Sequence, residues 1–129
     1  MNVGESIPEL KTTPDRFLTV RYAGASGDFN PIHIDPEFAK AVGLPGNILH
    51  GLYMMGIVAR ANAATAGGDP RALKRLSVQF RGMGMPEQEI VVTGTVKSAD
   101  GDRVVIETVA EQGGNQVIRN AEAEVELSE

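Results

Sequence analysis

The sequence of 129 residues contains no cysteine. This absence excludes a disulfide framework, a thiol nucleophile and every metal site built on thiolate ligands. It is compatible with a reducing, cytoplasmic setting, which is the location we expect. The sequence also begins without a basic segment followed by an apolar core, so we expect no signal peptide.

Basic charge is also scarce, since 17 acidic residues outnumber 12 basic ones and the formal net charge is −5. A nucleic-acid-binding protein normally shows a basic excess or a basic stripe. The nearest feature here is a scatter of cations at Arg71, Lys74, Arg75 and Arg81. It is too thin for a nucleic-acid groove, although it could meet a few phosphates or an acidic partner. We therefore expect no nucleic-acid partner.

An uninterrupted apolar run that could span a bilayer, which takes about 20 residues, is missing as well. The longest apolar stretch, at 50–66, is interrupted by His50, Arg60, Asn62 and Thr65. We interpret it as a buried helix, because its apolar residues leave almost no polar face. The sequence therefore predicts no membrane partner.

The residues after this helix have the pattern of an antiparallel sheet. Alternating apolar and polar residues predict strands at 76–81 and 120–127, and β-branched residues predict strands at 90–96 and 103–110. Turns are predicted at Asp100-Gly101 and at Gly113-Gly114-Asn115. A helix followed by four antiparallel strands, in a chain of this length, indicates one α+β domain over residues 1–129.

Two short helices are predicted before the long one. Thr13-Pro14-Asp15 has the pattern of a helix start, with threonine as the cap and proline in the first turn. Asp35-Pro36-Glu37 repeats that chemistry, and Gly43 is placed to end the helix it opens. Residues 27–33 would then form a loop between two helices, which is where catalytic residues are often found.

Asp28 and His33 in this loop are the candidate catalytic residues. A carboxylate and a neutral imidazole can act together as acid and base, since histidine titrates at about pH 6.5. Asn30 lies between them and could orient the pair. Other interpretations stay open on the residues alone, because aspartate in a Gly-Asp loop is often a turn residue and a single histidine is often surface or hydrogen-bonded core.

A metal site is a further alternative. Asp28, His33, Asp35 and His50 carry groups that are ordinary zinc or iron ligands. Their spacing matches no tight ligand pattern, and Asp35 is better explained as a helix cap. We therefore expect neither a metal nor another cofactor.

Residues 22–35, Tyr-Ala-Gly-Ala-Ser-Gly-Asp-Phe-Asn-Pro-Ile-His-Ile-Asp, closely resemble the signature of the MaoC-like, or (R)-specific enoyl-CoA hydratase, family. A second landmark of that family, a His-Gly pair opening the long helix, is present as His50-Gly51. The resemblance extends over nearly the whole chain. It implies a hot-dog fold, in which an antiparallel sheet wraps around one long buried helix.

The resemblance implies (R)-specific hydration of trans-2-enoyl thioesters, or the reverse dehydration of (3R)-3-hydroxyacyl thioesters. In the family the signature aspartate and histidine, here Asp28 and His33, hold and activate the catalytic water, and Asn30 helps to hold the site. The backbone N–H of Gly51 would donate to the thioester carbonyl. We group His50 with these oxyanion and substrate-binding residues, although shaping the helix start suits it better than direct chemistry.

The implied substrates are acyl-CoA or acyl carrier protein thioesters, and the implied assembly is a homodimer or heterodimer joined through sheet edges. A catalytic subunit that needs a partner, a non-catalytic thioester-binding subunit and a thioesterase remain alternatives. Two departures from the family pattern are present, of which the one at Gly56 leaves the acyl length open and the one at 82–89 could change pocket or partner contacts. Gly56 stands where some relatives have serine, and residues 82–89 replace a common Pro-Gly-Asp turn.

Overall fold

The computed structural model describes residues 1–127. The helices and strands follow one another as β1 (Leu10–Thr12), α1 (Leu18–Ser26), α2 (Pro31–Ile34), α3 (Pro36–Ala41), α4 (Gly51–Ala63), β2 (Leu73–Phe80), β3 (Ile90–Asp100), β4 (Arg103–Gln112) and β5 (Asn115–Glu126). Two 3-10 turns connect α4 to β2. None of the helices in this part of the chain has the length and hydrophobicity needed to cross a bilayer.

The strands form one five-stranded antiparallel sheet in the order β1-β3-β4-β5-β2. Gly101 (φ 61°) turns β3 into β4, and Gly113 and Gly114 (φ 59° and 81°) turn β4 into β5. Glycine suits these turns because a left-handed backbone has no steric cost without a Cβ. β2 pairs with β5 and not with β3, which follows it in the chain. The chain between β2 and β3 therefore crosses from one side of the sheet to the other.

The core lies between α4 and one face of the sheet. Met54, Ile57, Val58 and Ala61 of α4 are buried against apolar residues of the strands. The apolar members of the alternation predicted at the end of the chain, Ala121, Ala123 and Val125, are buried in β5, and Leu127, which follows the strand, is half-buried against the core. The opposite side of α4 is open, and Leu52 there is 67% exposed. The predicted α+β fold, with an antiparallel sheet packed on one long helix, is confirmed.

The helix predicted to start at Thr13 is wrong, because α1 begins only at Leu18. Thr13 directly follows β1, whose backbone pairs with β3 at Thr12 and Ile90, so this part of the chain is extended. The carboxylate that accepts a backbone N–H near the start of α1 belongs to Asp15, which is 2.8 Å from the nitrogen of Phe17. Strand pairing overrode a local capping pattern.

The helix predicted at Asp35 is confirmed. The Asp35 carboxylate accepts hydrogen bonds from the N–H groups of Glu37 and Phe38, and Gly43 (φ 92°) lies just after the helix end. The loop predicted over 27–33 is only partly correct, because Pro31 begins the single turn α2. His33 therefore lies on a short helix that directly precedes α3.

Gly94 occupies a tightly packed position in β3, and Gly94→Ala should destabilise the fold. An added Cβ would lie 2.6 Å from Cγ2 of Thr108 and 2.7 Å from the carbonyl oxygen of Glu107. Overpacking of this kind costs about 1–3 kcal/mol. We expect the free energy of unfolding, measured by urea titration, to fall by that amount.

Gly56→Ala is the matched control for this measurement. Gly56 lies within α4, and an added Cβ would have no atom within 4 Å. Because alanine favours a helix over glycine by about 0.5–1 kcal/mol, this variant should be slightly more stable than wild type. A Gly94→Ala protein as stable as wild type would contradict the close packing of β3 on β4.

Candidate active site

The turn after α1 presents Asp28. Gly27 (φ 80°) ends the helix, and its N–H donates to the carbonyl oxygen of Ala23. The N–H of Asp28 donates to Oγ of Ser26, and Oδ1 of Asp28 accepts from the N–H of Asn30 at 3.2 Å. These local hydrogen bonds hold the Asp28 carboxylate at the surface, with 54% of its side chain exposed.

The turn α2 presents His33 from a buried position. Oδ1 of Asn30 accepts the N–H of Ile32 and so caps this turn. Nδ1 of His33 lies 2.7 Å from the carbonyl oxygen of Ile48. Because a carbonyl oxygen only accepts, Nδ1 carries the proton in the neutral ring, and Nε2 is left with a free lone pair.

Nε2 of His33 and Oδ2 of Asp28 are 3.9 Å apart. This distance exceeds the roughly 3.2 Å limit of an N–H···O hydrogen bond. Both atoms are acceptors when the imidazole is neutral and the carboxylate is ionised. A water molecule can donate one hydrogen to each of two such acceptors. The pair therefore has the geometry of a site that polarises a water molecule.

His50 lies beside this pair and is 2% exposed. Its Nε2 is 3.1 Å from the carbonyl oxygen of Asp28, and its ring stacks on that of His33 with centroids 3.8 Å apart and planes 20° apart. The ring of Tyr22 lies 4.7 Å from the His50 ring. The structure thus brings the predicted residues Asp28, His33 and His50 into one cluster, and Asn30 supports it from the adjoining turn.

Gly51 is the first residue of α4. As the first helical residue it has no carbonyl partner inside the helix for its N–H, and the N-terminus of a helix carries a positive partial charge. The side chain at the N-cap, His50, makes no capping hydrogen bond. A pocket of about 300 Å³ opens here, and its lining residues are Tyr22, Ser26, Asp28, His50, Gly51, Leu52 and Phe80. A carbonyl oxygen placed in this pocket could accept from the start of α4.

The cluster is poorly arranged for a metal ion. Ligand atoms of Asp28, His33 and His50 lie within 4.8 Å of one another, whereas the Asp35 carboxylate caps α3. A metal must sit about 2.0–2.1 Å from each nitrogen and close to the plane of each ring. Two stacked rings whose planes are nearly parallel share no such point. The absence of a metal cofactor therefore stays our prediction.

Two ionisable groups near the pocket have shifted pKa values. Burial raises the pKa of Tyr53, which contacts Tyr22 edge-on at 5.7 Å, so this phenol is neutral at physiological pH. The side-chain hydrogen bonds of Arg21 lower the pKa of Asp15, and the N–H of Phe17 adds to the effect. Both groups keep their usual charge states, and neither one is a candidate acid or base at neutral pH.

Sequence reasoning missed four pocket residues, namely Tyr22, Ser26, Leu52 and Phe80. Ser26 lies within the signature segment and could have been noticed there, since its hydroxyl accepts the N–H of Asp28. No local sequence pattern pointed to Phe80 as a pocket residue. It reaches the pocket only because β2 runs beside β5, which places its ring against Gly51.

The departure from the family pattern at 82–89 does not line the pocket directly. The carbonyl oxygen of Gly84 accepts the N–H of Leu49 at 2.8 Å. The side-chain amide of Gln112 binds the N–H and carbonyl of Met85 and the carbonyl of Gln88. This loop therefore supports the segment just before α4.

The family model described as MaoC like domain matches residues 4–121 of this chain. A curated relative, the peroxisomal enoyl-CoA hydratase 2 of Arabidopsis thaliana, is 35% identical over 114 residues, which cover 88% of this chain and 35% of the relative. The chain therefore spans about a third of that relative's length.

Two solved structures extend the comparison to the fold. A MaoC-like dehydratase is 34% identical with a TM-score of 0.93, covering 99% of this chain and 41% of that one. The (R)-hydratase from A. caviae involved in PHA biosynthesis is 22% identical with a TM-score of 0.82, covering 99% of this chain and 98% of that one. The latter similarity concerns the fold alone, and together they confirm the predicted hot-dog architecture.

The stacked histidines lead to a prediction about metals. Adding EDTA, or Zn²⁺ at micromolar concentration, should leave the melting temperature unchanged, because a ligand stabilises a fold only when it binds the native state. Thermal unfolding and calorimetric titration would measure this. Stoichiometric Zn²⁺ binding that disappears in both His33→Gln and His50→Gln would contradict the prediction.

Proposed function

The chain belongs to the MaoC-like domain family, and on that premise we propose that it is a hydro-lyase acting on acyl thioesters. It adds water to trans-2-enoyl thioesters, or removes water from (3R)-3-hydroxyacyl thioesters, within a MaoC-like domain formed by residues 1–129. The observation that carries the proposal is the 3.9 Å gap between Oδ2 of Asp28 and Nε2 of His33 beside the start of α4.

In the hydration direction, Asp28 and His33 hold a water molecule between them, and Nε2 of His33 accepts one proton from it as its oxygen attacks C3. The electrons of the double bond move toward the thioester carbonyl, and a proton is then returned to C2. Dehydration follows the same path in reverse. The lone pair on Nε2 of His33 supports this assignment, since the hydrogen bond from Nδ1 to Ile48 leaves Nε2 as the basic nitrogen.

The developing negative charge on the thioester oxygen is stabilised by the N–H of Gly51. The N-terminus of α4 adds its positive partial charge at the same place. Such donors are effective because they are oriented before the reaction begins, and losing one typically costs about 2.7–4 kcal/mol of transition-state stabilisation. Asn30 contributes indirectly, because its side chain caps the turn that carries His33.

The substrate carrier is coenzyme A or an acyl carrier protein, and the assembly is a dimer joined at a sheet edge. β1 and β2 are the outer strands of the sheet. β2 has 8 residues against 3 in β1, so it offers the longer unpaired edge. Arg71 and Arg75 were two of the cations that could contact the phosphates of the carrier. Each already forms an ion pair, Arg71 with Asp69 and Arg75 with Glu124.

Removing either member of the catalytic pair should abolish most of the activity. We expect Asp28→Asn and His33→Gln each to lower kcat by at least about 10²-fold, the low end for acid–base catalysis. The measurement is the loss of enoyl-thioester absorbance when purified protein meets crotonyl-CoA, with the chirality of the 3-hydroxy product determined afterwards.

Asp35→Asn is the matched control, because it makes the same chemical change at a nearby carboxylate that only caps α3. Asparagine caps about as well as aspartate, so this variant should keep wild-type kcat. Near-full activity in both Asp28→Asn and His33→Gln would contradict the assignment. Release of free thiol instead of hydration would indicate a thioesterase. Activity that appears only with enoyl-acyl carrier protein or an added partner subunit would identify the missing component.

Gly51→Ala should impair catalysis through Phe80. The added Cβ would lie 3.2 Å from Cε1 of Phe80, so the ring or the start of α4 must move. A displacement of 1 Å in an active site can cost about 10²-fold in rate, and we expect a loss of about 10-fold in kcat for this smaller shift.

A double-mutant cycle with Phe80→Leu tests this cause. The smaller side chain removes the clash, so the double variant should be more active than the two separate losses would give. Strictly additive losses would contradict the role of Phe80 and would attribute the effect to Gly51 alone.

A further inference from the structure

His50 occupies the N-cap of α4 but does not cap it. Its backbone is extended (φ −65°, ψ 137°), as an N-cap requires, and its side chain makes no capping hydrogen bond. Serine, threonine, aspartate and asparagine are preferred at this position because they accept an N–H of the first turn. Histidine therefore leaves the first N–H groups of α4 open, and its ring is available for other contacts.

Those contacts join three separate parts of the site. Nε2 of His50 is 3.1 Å from the carbonyl oxygen of Asp28. One ring face stacks on His33, and Tyr22 lies against the ring from α1 at 4.7 Å. His50 therefore contacts the backbone of one proposed catalytic residue and the side chain of the other.

The hydrogen bond determines which nitrogen of His50 is protonated. Because the carbonyl of Asp28 only accepts, Nε2 must carry the proton. Nδ1 is buried and has no hydrogen-bond partner among the described residues. The neutral ring therefore has its N–H on Nε2 and its lone pair on Nδ1. The titratable side chains facing His50 are Tyr22 from α1, Asp28 from the turn and His33 from α2.

We infer that His50 is a positioning residue, which in its neutral Nε2–H form holds Asp28 and His33 at their working separation. This inference rests on the proposed function and assigns His50 no proton transfer of its own. The ring fixes His33 by stacking, and it fixes Asp28 by donating a hydrogen bond from Nε2 to the Asp28 backbone carbonyl. The carbonyl oxygen of Ile48 holds neutral His33 in the opposite tautomer, with the proton on Nδ1. His50 therefore acts as a hydrogen-bond donor, whereas His33 keeps Nε2 free to act as the base.

Two substitutions separate positioning from direct chemistry. His50→Gln places an amide N–H close to where Nε2 lies, so it keeps a donor for the Asp28 carbonyl, but it cannot titrate. His50→Leu keeps apolar bulk and removes the donor. We expect His50→Leu to lower kcat for crotonyl-CoA by about 10–100-fold with KM within about 3-fold, since the reacting groups are displaced while the acyl site is retained. His50→Gln should recover kcat to within about 5-fold of wild type and keep the wild-type pH profile.

Asn62→Leu is the control for a general loss of stability, because Asn62 is a fully buried polar residue of the same helix. It should keep wild-type kcat even if its melting temperature changes. Equal losses in His50→Gln and His50→Leu, or a limb of the pH profile that vanishes in His50→Gln, would overturn the inference in favour of direct chemistry. Full kcat in His50→Leu, or a rise in KM alone, would also overturn it.

A second measurement does not depend on activity, so it separates this inference from the proposed function. The chain has 2 histidines, and ¹⁵N spectra of the imidazoles can be assigned with the single variants. We expect neutral His50 as the Nε2–H tautomer and neutral His33 as the Nδ1–H tautomer. A His50 protonated at Nδ1 would overturn the inference. If wild type hydrates no enoyl thioester but shows the expected tautomers, the proposed function fails while the hydrogen bond behind this inference stands.

Discussion

The hydrogen bond from Nδ1 of His33 to the carbonyl oxygen of Ile48 is the interaction on which the site depends. It joins the signature turn to the extended segment that leads into α4. The same segment is held on its other side, where the N–H of Leu49 donates to Gly84. Because this short stretch is fixed from both sides, the orientation of His33 and the starting point of α4 are determined together.

The rigidity of that segment comes from the core behind it. α4 buries Met54, Ile57 and Val58 against the sheet, and this packing fixes where the helix begins. The open N-terminus is then held beside the Asp28 turn, and the pairing of β2 with β5 brings Phe80 over Gly51. The packing of an ordinary hydrophobic core thus sets the position of the proposed oxyanion donor.

The chemistry proposed for the site follows from the different hydrogen bonds that His33 and His50 make. Both donate to backbone carbonyls, but through different nitrogens, His33 through Nδ1 and His50 through Nε2. His33 thereby keeps Nε2 free at 3.9 Å from Oδ2 of the Asp28 carboxylate. The stacking of the rings disfavours a metal. Membership of the MaoC-like family and this arrangement support the same proposal, a water held between a carboxylate and an imidazole.

The sequence by itself determined the features that depend on neighbouring residues, such as the Asp35 cap, the Asp100-Gly101 hairpin and the signature that carries Asp28 and His33. It misjudged Thr13, where the same local pattern met a strand that pairs with residues far along the chain. Tertiary structure alone decided the pairing of β2 with β5, the contact of Phe80 with Gly51 and the stacking of His33 on His50. The physical reason is that caps and tight turns are stabilised by hydrogen bonds within a few residues. Strand order and ring stacking depend on burial between distant segments, and no local pattern encodes them.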